Sequence, residues 1–436
     1  MIAKMRHFKS IVGLTVLTLA ALSSCKSEED TRVINMLPKT RSIDLTEAER
    51  DFVNKNNGFS FNFYRTLNEK EVRGKSNIVS PMSATFVLGM LNDGASGKTA
   101  EEITSVLGFG GGDAKAVNEF CRKLINEAPE VDPSVNLEIA NMVIANSGKD
   151  VRLASGFSSD MKDYYDAAVT TKNFSNPGFL PEVNSWCSDH TRGMIPSILS
   201  PNELSPEDVI MLINAIYFKA TWKDKFDAND TKNETFTAAD GSTSQLPMMH
   251  RKAYAMYGQN DIYSTLYLPY GSGQIYDVGE RWSMMVLLPN EGKTIDDVVN
   301  NLDGDAWEQN LIDMWNPEVD IKIPRFATDT ETDLIDPISR MGAPTMFDKT
   351  KAEFLKMVEA RSGQVWVGLM KQRAAIEVNE EGTKTSAVTV AAVGDTANAG
   401  VGRAEKVDFH CDRPFVYLIR EASSGAIFFI GAFQGN

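Results

Sequence analysis

Histidine and cysteine are both scarce, four of each in 436 residues. His7 falls in a basic leader, and His190, His250 and His410 sit in no recognisable catalytic context. The patterns Gly-x-Ser-x-Gly, His-Glu-x-x-His and Cys-x-x-Cys are all missing, so nothing in the order of residues announces an enzyme. Only a triad scattered along the chain is left open. Past Cys25, the thiols Cys121, Cys187 and Cys411 are too widely spaced for a disulfide framework or a zinc site, and buried thiols are expected. No cofactor and no metal centre is expected. Positive charge is also short: 44 Lys and Arg against 59 Asp and Glu give a formal net charge of −15. That balance excludes nucleic acid and anionic membrane surfaces as partners. No internal repeat and no low-complexity break divides the chain, which reads as one large domain, expected to be monomeric.

What is present begins with an address. Lys4, Arg6 and Lys9 precede an apolar stretch from Ser10 to Leu22, too short to span a bilayer as a helix. It ends in Leu22-Ser23-Ser24-Cys25, which resembles a bacterial lipobox. The resemblance implies a signal peptide over 1–24, acylation of Cys25 and a lipid anchor in the outer membrane as the sole membrane contact. The acidic Lys26-Ser27-Glu28-Glu29-Asp30 resembles a surface-export signal, with a plain solvated tether as the alternative. Residues 25–44 read as tether and 45–436 as the folded domain.

Helical spacing governs the first half of that domain. Phe52, Phe59, Phe63 and Leu67 share one face of a helix over Leu45–Leu67, interrupted near Gly58. Ser80 before Pro81 is a helix start, with Pro in the first turn. Gly97-Lys98-Thr99 invites a phosphate-loop reading, but that motif needs glycine where Asn92 stands. A turn with Thr99 capping the next helix is the better reading. Further helices are expected over Ala114–Glu127 and Pro181–Arg192, and a strand over Leu137–Ala145. The run from Val209 to Ala220 suits a strand buried on both faces, in which Asn214 is costly unless hydrogen-bonded.

A strand-like run, Val365 to Val378, leads to Glu380-Glu381-Gly382-Thr383. Thr385 to Gly394 then carries no charge and consists of Thr, Ser, Ala, Val and a closing Gly. Loops are usually polar, so this segment reads either as a strand still without a sheet or as a linker or edge strand. Asp412-Arg413-Pro414-Phe415 follows. With Asn77-Ile78-Val79-Ser80-Pro81-Met82-Ser83, Asn214 and Trp222, and Ile321-Lys322-Ile323-Pro324-Arg325-Phe326, these motifs fall in the order of the serpins, a family of protease inhibitors. The resemblance covers nearly the whole domain.

That resemblance implies an α+β fold, with helices around a large central sheet and two smaller ones. It also implies an exposed reactive-centre loop over about 381–406, hinged at Glu380, Glu381, Gly382, Thr383, Thr385, Ser386 and Ala387. Ser80, Ser83 and Asn214 fall at the family's shutter beneath the opening of the sheet, and Trp222 where the loop first enters. Arg325 either pairs with Glu380 or is solvated. One position departs: Gln372 stands where the family often has a histidine, which removes a titratable group. The implied activity is suicide-substrate inhibition of serine endopeptidases, with cysteine endopeptidases as a further class, the alternative being a non-inhibitory carrier. The family's spacing from Glu380 puts the scissile bond at Thr396–Ala397, suited to elastase-like or subtilisin-like proteases. Counting back from Pro414 points instead to Arg403 and a trypsin-like target.

Overall fold

The computed structural model describes residues 40–109, 114–149, 151–205, 207–271, 281–359, 365–383 and 406–435. In chain order come α1 (Glu47–Asn68), β1 (Asn77–Val79), α2 (Pro81–Gly94), α3 (Gly97–Val106), α4 (Ala114–Glu127), β2 (Asn136–Asn146), α5 (Ser155–Tyr165), β3 (Ala167–Lys172), α6 (Phe179–His190) and β4 (Ile210–Thr221). Then follow β5 (Lys232–Thr237), β6 (Thr243–Tyr254), β7 (Tyr257–Gln259), β8 (Tyr263–Pro269), β9 (Trp282–Pro289), α7 (Ile295–Asn301), α8 (Gly304–Ile312), β10 (Glu318–Pro324), β11 (Phe326–Asp333) and α9 (Ile335–Met341). The last strands are β12 (Lys371–Asn379), β13 (Gly382–Thr383), β14 (Lys406–His410), β15 (Phe415–Glu421) and β16 (Ile427–Phe433).

Three sheets result, in the orders β11-β12-β13-β4-β2-β3, β14-β10-β6-β5 and β1-β16-β15-β9-β8-β7. The third is the heart of the core: every residue of β9 and β16 is buried, as expected of strands covered on both faces. The first holds the long β2 and β4, antiparallel from Asn136 opposite Lys219 to Ala145 opposite Ile210. One face of this sheet packs on the main core. On the other face, Met142, Ile144, Met211 and Ile213 form a second apolar cluster with Phe179, Val183 and Cys187 of α6. Helix α6 therefore lies across the sheet.

Local structure departs from expectation in four places, one being Thr99, which lies inside α3 instead of capping it, with Ser96 at the N-cap. Helix α1 runs through Gly58 without interruption: Thr46 and Glu49 close a reciprocal capping box, and nothing crowds the glycine. A single interior Gly costs only about 1 kcal/mol, less than the buried face of Phe59, Phe63 and Leu67 returns. Strand β12 begins at Lys371, six residues later than the run from Val365 suggests. Packing also starts before Leu45, since Ile43 is buried and its N–H donates to Ser423 Oγ at 2.9 Å. Cys121, Cys187 and Cys411 are buried free thiols, and burial pushes those of Cys121 and Cys187 up to about 12.

Candidate functional site

The site is a parting in the first sheet. Among the described strands no ladder joins β4 directly to β12; the two-residue β13 is wedged between them, antiparallel to both. The chain leaves β12 at Asn379, turns at Glu380-Glu381 and returns so that Gly382 lies opposite Asn379 and Thr221, and Thr383 opposite Val378 and Ala220. Only glycine makes this return. The φ of Gly382 is +149°, and a Cβ there would lie 2.2 Å from the Ala220 carbonyl oxygen.

The turn is held from every side. Trp222 N–H donates to Glu381 O at 2.8 Å, and Phe226 N–H to Glu380 O at 3.1 Å. The indole Nε1 of Trp222 donates to Asn379 O at 2.8 Å, while its ring stacks on Tyr270 with centroids 4.6 Å apart. Tyr270 in turn shares a 2.6 Å hydrogen bond with Thr383 Oγ1, which fixes that side chain toward the core. Glu380 Oε1 accepts from Thr231 Oγ1 at 2.7 Å and from the Arg325 guanidinium at 2.5 Å, with a second Arg325 contact of 3.2 Å to Oε2. Partial burial works against the Glu380 charge, but Arg325 and Thr231 outweigh it and hold the carboxyl below its usual range. Of the two readings of Arg325, pairing is the one present. Glu381 reaches outward to Lys225 at 2.5 Å.

Below Thr383 the parting closes over two small cavities of about 40 Å³ each, with Val87 of α2 lining both. Ser83, Asn214 and Gln372 line the one nearer Thr383. Gln372 spans the buried Ser80 backbone with both ends of its amide: Ser80 N–H donates to Oε1 at 2.8 Å, and Nε2 donates to Ser80 O at 2.7 Å. Ser80 Oγ donates to Phe428 O and accepts from Ser83 N–H, capping α2. Asn214 Nδ2 donates to Asn141 Oδ1 at 2.9 Å, and Asn141 Nδ2 to Tyr165 O at 2.7 Å. Asn214 Oδ1 is buried without a partner. Thr385, Ser386, Ala387, Thr396, Ala397, Arg403 and Cys25 lie outside the described residues.

A sheet parted between β4 and β12, with a glycine-hinged strand started in the gap, is joined here by a family-wide comparison. The model of the family described as Serpin (serine protease inhibitor) matches residues 54–434. The chain belongs to the serpin family. It is 32% identical to glia-derived nexin of Mus musculus over 365 residues, covering 81% of this chain and 86% of that one. The crystal structure of tengpin, a thermophilic serpin, in its native state superposes with a TM-score of 0.79 at 22% identity, over 93% of this chain and 99% of that one. Thyroxine-binding globulin in complex with thyroxine superposes at 0.76 and 24% identity, over 88% and 99%. At those identities the two structures bear on the fold alone.

This serpin also uses residues that the motifs did not single out. Asn141 was findable, since it is a second lone Asn inside an apolar strand, opposite Asn214 in register. Thr231 and Tyr270 carried no signal, because each becomes part of the hinge only when distant segments meet.

Proposed function

We propose that this serpin traps serine endopeptidases by inserting its cut loop between β4 and β12. The register of β13 carries the reading. Each residue beyond Thr383 would take one step back along both flanking strands, which sets Thr389 between Asn214 and Gln372. Because Thr383 faces the core, Thr385, Ala387 and Thr389 would face it too, leaving Lys384, Ser386 and Val388 on the α6 side. The inward set is small and uncharged, as an insertable strand needs. The hydroxyl of Thr389 would supply the donor that Asn214 Oδ1 lacks.

The gain is large. About a dozen residues acquiring ladder hydrogen bonds at roughly 1 kcal/mol each give on the order of 10 kcal/mol, comparable with the whole stability of an ordinary domain. The obstacle is kinetic, since cavities of about 40 Å³ cannot admit a strand until the sheet opens. A protease held as acyl-enzyme would be carried along and distorted before water releases it. Thr396–Ala397 is the favoured bond and directs the reading to elastase-like or subtilisin-like proteases; Arg403 is the trypsin-like alternative. Cys25 is the proposed acylation site, which would place the protein on a bacterial outer membrane facing outward.

Incubation with elastase and, separately, trypsin tests the proposal, read by denaturing gel and mass spectrometry. A complex that survives boiling, with the released peptide starting at Ala397, is the expected result. Cleavage without a complex but with a large rise in melting temperature would favour a non-inhibitory carrier. Cleavage with neither overturns the insertion mechanism.

A further inference from the structure

Two of the chain's four histidines converge on one carboxylate, far in sequence from each other and outside the parted sheet. The place is the exposed face of the β14-β10-β6-β5 sheet. In β10, Val319 and Ile321 point into the core, so Asp320 points out. Strand β14 runs parallel to β10 with Asp408 opposite Asp320 and His410 opposite Lys322; β6 runs antiparallel on the other side with His250 opposite Lys322. Phe409, between Asp408 and His410, is fully buried, which fixes those two side chains on the outer face. His250 Nε2 lies 2.9 Å and His410 Nε2 3.3 Å from Asp320 Oδ1. Ligand atoms of Asp320, Asp408 and His410 all fall within 4.8 Å of one another.

We propose that Asp320, Asp408 and His410 form a binding site for a zinc-class divalent cation, which His250 would complete by turning its ring in from its hydrogen bond with Asp320. The donor set decides the class: imidazole nitrogens suit zinc, copper or nickel, whereas magnesium and calcium take oxygen ligands. Distance agrees. Zn–N and Zn–O bonds of about 2.0–2.1 Å in a tetrahedron put ligand atoms about 3.3 Å apart, and the two imidazole–carboxylate separations are 2.9 and 3.3 Å. On binding, each ring would hold its proton on Nδ1 and turn Nε2 to the metal. Lys252 donates to the other oxygen of Asp320 at 2.8 Å, which orients that carboxylate from outside the ligand set. Lys322, on the same face, is drawn off by Glu234 at 2.7 Å and leaves the imidazoles clear. The expectation of no metal centre rested on cysteine spacing; these ligands are gathered by cross-strand register instead. The bound ion would tie β14, which among the described strands pairs only with β10, to the strands beneath it.

Titration of the whole chain, stripped with a chelator, with zinc chloride by calorimetry and with cobalt chloride by absorbance tests the site. One equivalent is expected, with magnesium chloride giving no comparable heat. His410→Gln and Asp408→Asn should each weaken zinc binding about ten-fold or more, while His190→Gln on α6 leaves it unchanged. Zinc should raise the melting temperature of the unaltered chain and not that of His410→Gln, whose metal-free melting temperature stays near the parent's. Absence of binding, or equal affinity across the three variants, overturns the proposal.

Discussion

At the scale of single residues, Glu380 and Gln372 hold the hinge and the floor of the parting. The Glu380 carboxyl is held below its usual range by Arg325 and Thr231 despite partial burial. A lowered folded value means its contribution is complete above the unfolded carboxyl range, about pH 4–5. It is lost as pH falls through the folded value. The protection factors of the Trp222 and Phe226 amides, which donate to this turn, should therefore fall below about pH 4, and Glu380→Gln should flatten that dependence. Arg325→Ala is expected to cost about 2 kcal/mol, the loss of a charge-assisted pair, read by urea unfolding. Gln372→Leu leaves the Ser80 N–H buried and unpaired and its carbonyl with only the 3.3 Å bond from Ala84 N–H, a cost of about 2 kcal/mol. If Gln372→Leu unfolded like the parent, the bidentate contact would contribute nothing. The Gln372 amide does not titrate, so of these two residues only Glu380 responds to pH.

At the scale of elements, β13 depends on one glycine. Gly382→Ala places a methyl 2.2 Å from the Ala220 oxygen and 2.6 Å from Thr221 Cα. Both are strand backbone and cannot step aside cheaply, so β13 should leave the gap. Loss of exchange protection at Trp222 N–H, with the protein otherwise folded, is the expected signature. Several elements were legible before any coordinates. The Ala114–Glu127 helix came out with its ends as read, because its apolar face repeats without a break, and β4 announced itself by an apolar run with one Asn in it. The start of β12 was not legible: Val365 to Met370 is as apolar as a strand, yet Val365–Leu369 line one of the cavities instead of pairing. Nor was the histidine–aspartate cluster, since cross-strand register is invisible in linear spacing.

At the scale of the whole molecule, the two ends of the segment 384–405 are fastened to different sheets. Thr383 belongs to the parted sheet and Lys406 to the β14 sheet. A cut anywhere between them would let the first end travel while the second stays paired to β10. The cleaved chain should then melt far above the intact one, by tens of degrees for on the order of 10 kcal/mol. Differential scanning calorimetry before and after limited proteolysis measures this, and unchanged melting would remove the insertion model. The serpin motifs made this arrangement readable because they mark where strands must part, whereas the packing that holds them nearly shut is a property of the assembled core.

The stacking of Trp222 on Tyr270, with its indole bonded to the last residue of β12, gives the molecule an intrinsic stopwatch. That ring sits at the head of the gap, against the turn from which any inserted strand would start, so its fluorescence should change as entry begins. Under the proposed mechanism, inhibition would be a race between that entry and hydrolysis of the acyl bond. A chain carrying Trp222 as its single tryptophan would time one runner directly, and the fraction of protease escaping would report the other.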